Sequence, residues 1–325
     1  MIVVWRVTER CNLACGFCAY DRTLSRSRVD ADAQQIRHFG ATLADYQQHT
    51  GDKVLVSWIG GEPLRWPALE QLTTLFRTEY GLRISTTTNG TPLESAVVRA
   101  HLLTHYAELT VSIDALGTSH DRLRGSPGLF SRVKSSVKQL TRERASHARR
   151  LKLRANVVLM RDTIGDFPAL CAELGTWGFD EITFNSLGGR DRPEYFPTHR
   201  ILPAQVEEFE QQLPALRAEL SRNGVRLSGS AAYLERMHAS SRDQALPVDD
   251  CEPGQTFLFV DELGRAAPCS FTAEDYGVSI DSLRTAGDLQ RLPLTFSLAR
   301  HEHRALSCDD CLSTHVFSKF AVAHG

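Results

Sequence analysis

Through its first 224 residues the chain alternates short β-branched runs with amphipathic stretches, a pattern that leaves few folds open. Strands are expected at 2–7, 53–59, 82–87, 109–114, 151–160 and 181–185. Helices are expected at 30–49, 67–79, 129–146, 166–176 and 203–223, with one more between the third and fourth strands. In the first helix Asp30 or Asp32 can cap the start, Ile36, Phe39, Leu43 and Tyr46 recur at helical spacing, and Gly51 stands just past the end. Repeated strand–helix units of this kind make a parallel sheet, and such sheets bind ligands at the carboxyl ends of their strands.

The residues that carry chemistry fall at those ends. Cys11, Cys15 and Cys18 follow the first strand at C-x3-C-x2-C spacing, with Phe17 just before the third cysteine. Three thiolates can hold a [4Fe–4S] cube and leave one iron free for a small molecule. A structural zinc site would need a fourth ligand, and no cysteine or histidine lies close by in sequence. Gly60-Gly61-Glu62-Pro63 ends the second strand: the glycines allow close backbone approach and Glu62 supplies a carboxylate. Asn89 ends the third strand, and Ser112 and Asp114 end the fourth, facing one side by period two. A strand-end turn explains Ser112 and Asp114 as well as a ligand contact does.

The cysteine motif and Gly60–Pro63 together resemble the radical S-adenosylmethionine (radical SAM) superfamily. The resemblance implies an open (β/α)6 partial barrel. It implies a SAM-binding [4Fe–4S] cluster on Cys11, Cys15 and Cys18, and SAM contacts from Phe17, Gly60, Gly61, Glu62, Pro63, Asn89, Ser112 and Asp114. In the family the Gly-Gly-Glu-Pro region meets the amino group of the SAM methionine moiety. His120-Asp121-Arg122-Leu123-Arg124-Gly125 is similar to a segment of the SPASM and twitch subgroups, which carry auxiliary clusters.

After Gly224 the alternation stops, which divides the chain into a core at 1–224 and a second domain at 225–325. The second domain holds Cys251, Cys269, Cys308 and Cys311. A hairpin across 261–264 would bring Cys251 and Cys269 together, and Cys308-Asp309-Asp310-Cys311 is a two-residue knuckle. Four cysteines close one site. A zinc ribbon would suit them, but the layout resembles the twitch domain with one auxiliary [4Fe–4S] cluster. No cysteine follows Cys311, whereas a full SPASM domain would have more. Cys171 stands apart on the apolar side of a helix and reads as a buried structural thiol; a radical hydrogen donor is the sharper alternative.

The 325 residues are 42% hydrophobic and 23% charged with a net charge of −2, the balance of a globular protein with no bulk pull toward nucleic acid or anionic membrane. There is no apolar run of membrane-spanning length and no signal-peptide pattern, so a cytoplasmic location is expected.

The resemblance implies reductive cleavage of SAM to a 5′-deoxyadenosyl radical, fed by an external flavodoxin- or ferredoxin-like donor, and hydrogen abstraction from a substrate C–H bond. A fully ligated second cluster would then accept an electron, giving a two-electron oxidation. The Cys251-x17-Cys269 and Cys308-x2-Cys311 spacing is similar to that of aminocyclitol dehydrogenases of the 2-deoxy-scyllo-inosamine type. Peptide cross-linking is the alternative and radical epimerisation a third option. Cys11 leaves no room ahead of it for a peptide-recognition domain, so leader binding is expected from the carboxyl-terminal half or a separate protein. Asp114, Arg154, Asn156 and Asn185 could line the substrate pocket, with no catalytic base singled out.

Overall fold

The computed structural model describes residues 1–147 and 150–320. Its strands are β1 (Ile2–Thr8), β2 (Leu55–Gly60), β3 (Arg83–Thr88), β4 (Glu108–Ser112), β5 (Lys152–Leu159), β6 (Glu181–Ser186), β7 (Arg226–Leu227), β8 (Phe257–Val260), β9 (Arg265–Ala267) and β10 (Val278–Ser279). Its helices are α1 (Ala33–Thr50), α2 (Leu69–Thr78), α3 (Ala96–His105), α4 (Gly117–Arg124), α5 (Leu129–Arg144), α6 (Phe167–Gly175), α7 (Phe196–His199), α8 (Pro203–Arg222), α9 (Ala231–Ser241), α10 (Ala273–Tyr276) and α11 (Ala286–Glu302).

The strands form one sheet in the order β10-β9-β8-β1-β2-β3-β4-β5-β6-β7. Neighbours from β8 through β7 are all parallel, while β9 and β10 are antiparallel. The expected six-strand α/β partial barrel is therefore present, and it is wider than the alternation indicated. Residues after Gly224 add β7 beside β6 and β8 beside β1. Both additions are too short to show a period. The β8–β9 hairpin lies where the sequence placed it. The fourth strand stops at Ser112, two residues short of Asp114.

Period-two alternation separates the two faces of the sheet. Val3, Trp5, Val56, Trp58, Leu109, Val111, Leu153 and Ala155 point outward and are buried under the helices. Those helices carry the matching apolar stripe: α1 buries Ile36, Phe39, Leu43 and Tyr46, is capped by Asp32 through Gln34 N and Gln35 N, and stops at Gly51 with φ 77°. Inward-facing positions are small or polar on β3 to β6, among them Ser85, Thr87, Thr110, Asn156 and Thr183, and apolar on β1, β2 and β8, among them Val4, Ile59 and Phe259; together they line a cavity of about 540 Å³. A barrel centre left open in this way, with one polar wall and one apolar wall, leaves room for a ligand that carries both kinds of group. Cys171 is fully buried on α6, outside the sheet, and burial pushes its thiol up. It faces the core from the helix rather than lining the barrel cavity.

Candidate active site

The first three cysteines sit on the loop that leaves the carboxyl end of β1. Two glycines hold that loop in place. A side chain on Gly60 would meet Thr8 O at 2.1 Å, and one on Gly61 would meet Arg10 O at 2.2 Å. Gly61 N donates to Thr8 O and Glu62 N to Arg10 O. The glycines thus permit close approach of the cysteine loop itself. Gly125, with φ 61°, closes the other side, its Cβ position lying 2.8 Å from Ala14 O. The three thiols share one environment: burial pushes Cys15 up to about 12, and Cys18 and Cys11 add to that, against the cation Arg124. Asn89 Nδ2 donates toward Cys11 Sγ at 3.7 Å, and Tyr20 N toward Cys18 Sγ at 3.4 Å. Three buried thiols with donors and a cation around them suit an anionic cluster, whose sulfurs such groups stabilise.

Glu62 is fully buried, and its carboxylate accepts from Thr88 Oγ1 at 2.9 Å, Asn89 N at 2.7 Å and Leu64 N at 3.2 Å. Burial pushes it up to about 7 despite these bonds. Its side chain ties the ends of β2 and β3 together, with buried Pro63 behind it starting a short 3-10 turn. Asp114 is also spent internally: Oδ1 accepts from Val158 N at 3.0 Å and Oδ2 from Arg124 Nε at 2.7 Å. Ser112 remains at the end of β4. Arg124, to which the sequence assigned no role, is the buried cation of this site. It lies over the Phe17 ring at 5.5 Å and acts on the charge of all three thiols. Its signal was present in the segment ending at Gly125, but pairing with Asp114 depends on the turn into α4.

The second set lies at the opposite end of the sheet. Cys251 precedes the amino end of β8, which runs parallel to β1, and Cys269 follows the antiparallel β9. Cys251, Cys269, Cys308 and Cys311 line one small cavity. Burial pushes Cys251 up to about 11, with Arg300 opposing and the other three thiols adding. All eight cysteines are free. Among the described residues no three cysteine, histidine or acidic side chains are grouped closely enough to hold a single metal ion. Zinc would draw its thiolates to about 3.8 Å from one another, given Zn–S bonds near 2.3 Å. A cube takes each thiolate on a separate iron, and four thiolates suit either group. Arg236, buried and bonded to Asp310 and to Cys311 O, fixes the knuckle.

Between the two sets runs the barrel interior. The 540 Å³ cavity reaches Cys269 at one end. A second cavity of about 280 Å³ is lined by Phe17, Cys18 and Tyr20 and shares Asn185, Phe271, Leu312 and Thr314 with the first. Arg154, Asn156 and Asn185 line the larger cavity, as the sequence suggested. Arg154 is committed to Glu108 and Glu181. Residues 312–320 bridge the open side of the sheet: His315 stacks on Phe257 of β8, and Ser230 Oγ donates to Phe317 O. Among the described residues no helix is long and apolar enough to cross a membrane.

The chain is 26% identical over 276 residues to an AdoMet-dependent heme synthase of Methanosarcina barkeri, covering 83% of this chain and 76% of that one. It is 24% identical over 278 residues to the PqqA peptide cyclase of Gluconobacter oxydans (83% and 70% covered). It is 20% identical over 313 residues to the mycofactocin maturase MftC of Mycobacterium tuberculosis (95% and 75%). Streptococcus suis SuiB bound to precursor peptide SuiA shares the fold with a TM-score of 0.66 at 16% identity, covering 98% of this chain and 70% of that one. Native anSMEcpe with bound AdoMet gives 0.64 at 15%, covering 96% and 88%. None of these relatives is named for an aminocyclitol. Residues 5–174, more than half of the chain, match the radical SAM superfamily, and the chain belongs to that superfamily as a SAM-dependent iron–sulfur enzyme.

Proposed function

We propose that this radical SAM enzyme oxidises a peptide substrate held inside the barrel, with a second cluster as the electron acceptor. The observation that carries this reading is a pair of neighbouring cavities that share Asn185, Phe271, Leu312 and Thr314, one lined by Cys18 and the other by Cys269. In this assignment Cys11, Cys15 and Cys18 hold the SAM-binding cluster in a core of residues 1–224. Cys251, Cys269, Cys308 and Cys311 hold an auxiliary [4Fe–4S] cluster in residues 225–325. Bound SAM and its cluster supply hydrogen-atom abstraction, and the auxiliary cluster supplies a place for an electron. The chain's own part is to place and enclose. The backbone at Gly60–Glu62, Asn89, Ser112 and the Phe17 ring surround the first site, and Arg124 gives it a buried positive charge. Residues 312–320 wall the cavity from solvent, and small polar side chains leave space for substrate.

The peptide reading takes the place of the aminocyclitol because a relative named as a peptide cyclase aligns along most of the chain and the fold is shared with a protein solved bound to its precursor peptide. A tetrapyrrole substrate is the second reading, favoured by the similarity to heme synthase. Epimerisation with Cys171 as donor is set aside, since that thiol is buried outside the sheet. Coexpression with small peptides encoded beside the gene, followed by mass spectrometry, tests the proposal. Loss of hydrogen from one peptide with formation of 5′-deoxyadenosine is expected. Unmodified peptides, alongside turnover of a porphyrin or an aminocyclitol by purified enzyme, would overturn it.

A further inference from the structure

The barrel cavity contains a buried lysine with no carboxylate partner among the described residues. Lys319 is 5% exposed and lines the cavity. Its Nζ donates to Asn156 Oδ1 at 2.6 Å, an oxygen that also accepts from Thr183 Oγ1. Among the described residues no carboxylate pairs with it. The acidic groups on this wall are already neutralised: Glu181 by Lys152, Arg154 and Arg226, and Glu108 by Arg83 and Arg154. Burial alone would raise Glu181, yet Arg154 and its other partners hold it at about 2. The Phe320 ring, 5.0 Å away, offers only a weak cation–π contact. His315, on the same segment, is pushed down by burial and adds no charge near neutrality. A methionine would fill the space without the cost of burying an amine whose proton has no anionic partner, so the lysine calls for a partner that arrives later. A second unmet need lies in the same cavity: Asn185 Oδ1 is buried and has no hydrogen-bond donor.

We propose that Lys319 is the counter-ion of a substrate carboxylate, and that the cavity takes a carboxylate-bearing molecule whose N–H or O–H groups meet Asn185 Oδ1. This rests on the reading that the cavity receives the substrate, and it narrows that substrate to an acid. Burial, with Arg154 adding to it, lowers Lys319 to about 7, so the bound anion would recharge the amine. A peptide's terminal or side-chain carboxylate and a porphyrin propionate offer the same chemistry.

The test is equilibrium binding to the anaerobically reconstituted full chain without reductant, so that nothing turns over. The probes are a hexapeptide with a free carboxyl terminus against its amide, and coproporphyrin against its methyl ester. The acid of one pair should bind about tenfold or more tightly than its neutral partner at pH 6.5, as expected of a hydrogen bond to a charged group. The gap should close in Lys319→Gln and return in part in Lys319→Arg. In the wild type it should shrink as the pH rises above 7 and the free amine loses its proton, a readout that needs no variant. The pair that shows the gap identifies the source of the acid. No gap in either pair, or a gap that survives in Lys319→Gln or is flat with pH, would overturn the proposal. Failure of the oxidation reading would appear in product analysis and leave this binding difference untouched.

Discussion

The two cysteine sets are built by opposite means. The first is local: three thiols lie within one loop at the end of β1, and Gly61, Asn89 and Arg124 are brought to it by neighbouring strand ends and a helix. The second is assembled from separate segments, and its position depends on β8 threading in beside β1. Three thiols leave one iron of a cube open to a ligand, whereas four leave none. The difference suggests a division of labour, with reaction at the carboxyl ends of the strands and electron removal at the other end.

Breaking the first set should have the largest effect. Cys15→Ala should reduce 5′-deoxyadenosine formation to background in a chromatographic assay, with or without substrate. Cys308→Ala should separate the two halves of the chemistry: SAM cleavage persists, and oxidised product disappears from the mass spectrum. If both activities survived Cys308→Ala, the contrast between the sets would be lost. Gly61→Ala should act more mildly, since its Cβ would press on Arg10 O at 2.2 Å. A loss of about 1–3 kcal/mol in urea unfolding is expected, with iron leaving the first site before the second.

The smallest effect concerns the cavity between the sets. Lys319 titrates near 7 when folded against 10.5 for an ordinary lysine, so in that window the unfolded chain binds the extra proton. Stability should therefore rise with pH from about 7 toward 10.5 and be level below 7. Lys319→Met should flatten that slope and raise the melting temperature at neutral pH. An unchanged slope would show that the amine is solvated.

Much of this architecture was legible in the chain. The six core strands are long enough to show a period, and the cysteine and Gly-Gly-Glu-Pro motifs fall at strand ends because each follows its strand directly. Other features had no local signal. β7 and β8 are short runs whose pairing is long-range. Asp114 reads as a free strand-end carboxylate until α4 delivers Arg124 to it. Glu62 reads as a strand-end carboxylate, and its bonds to Thr88 and Asn89, which tie two strand ends together, have no local signal. Lys319 sits in Val316-Phe317-Ser318-Lys319-Phe320, which has no motif, and its burial follows from where residues 312–320 cross the sheet.

Iron and sulfide analysis of the anaerobically reconstituted protein tests the account most directly. The two-cluster arrangement predicts about eight irons and eight sulfides per chain, falling to about four of each in Cys308→Ala. Four irons in the wild type, unchanged by that substitution, would contradict it.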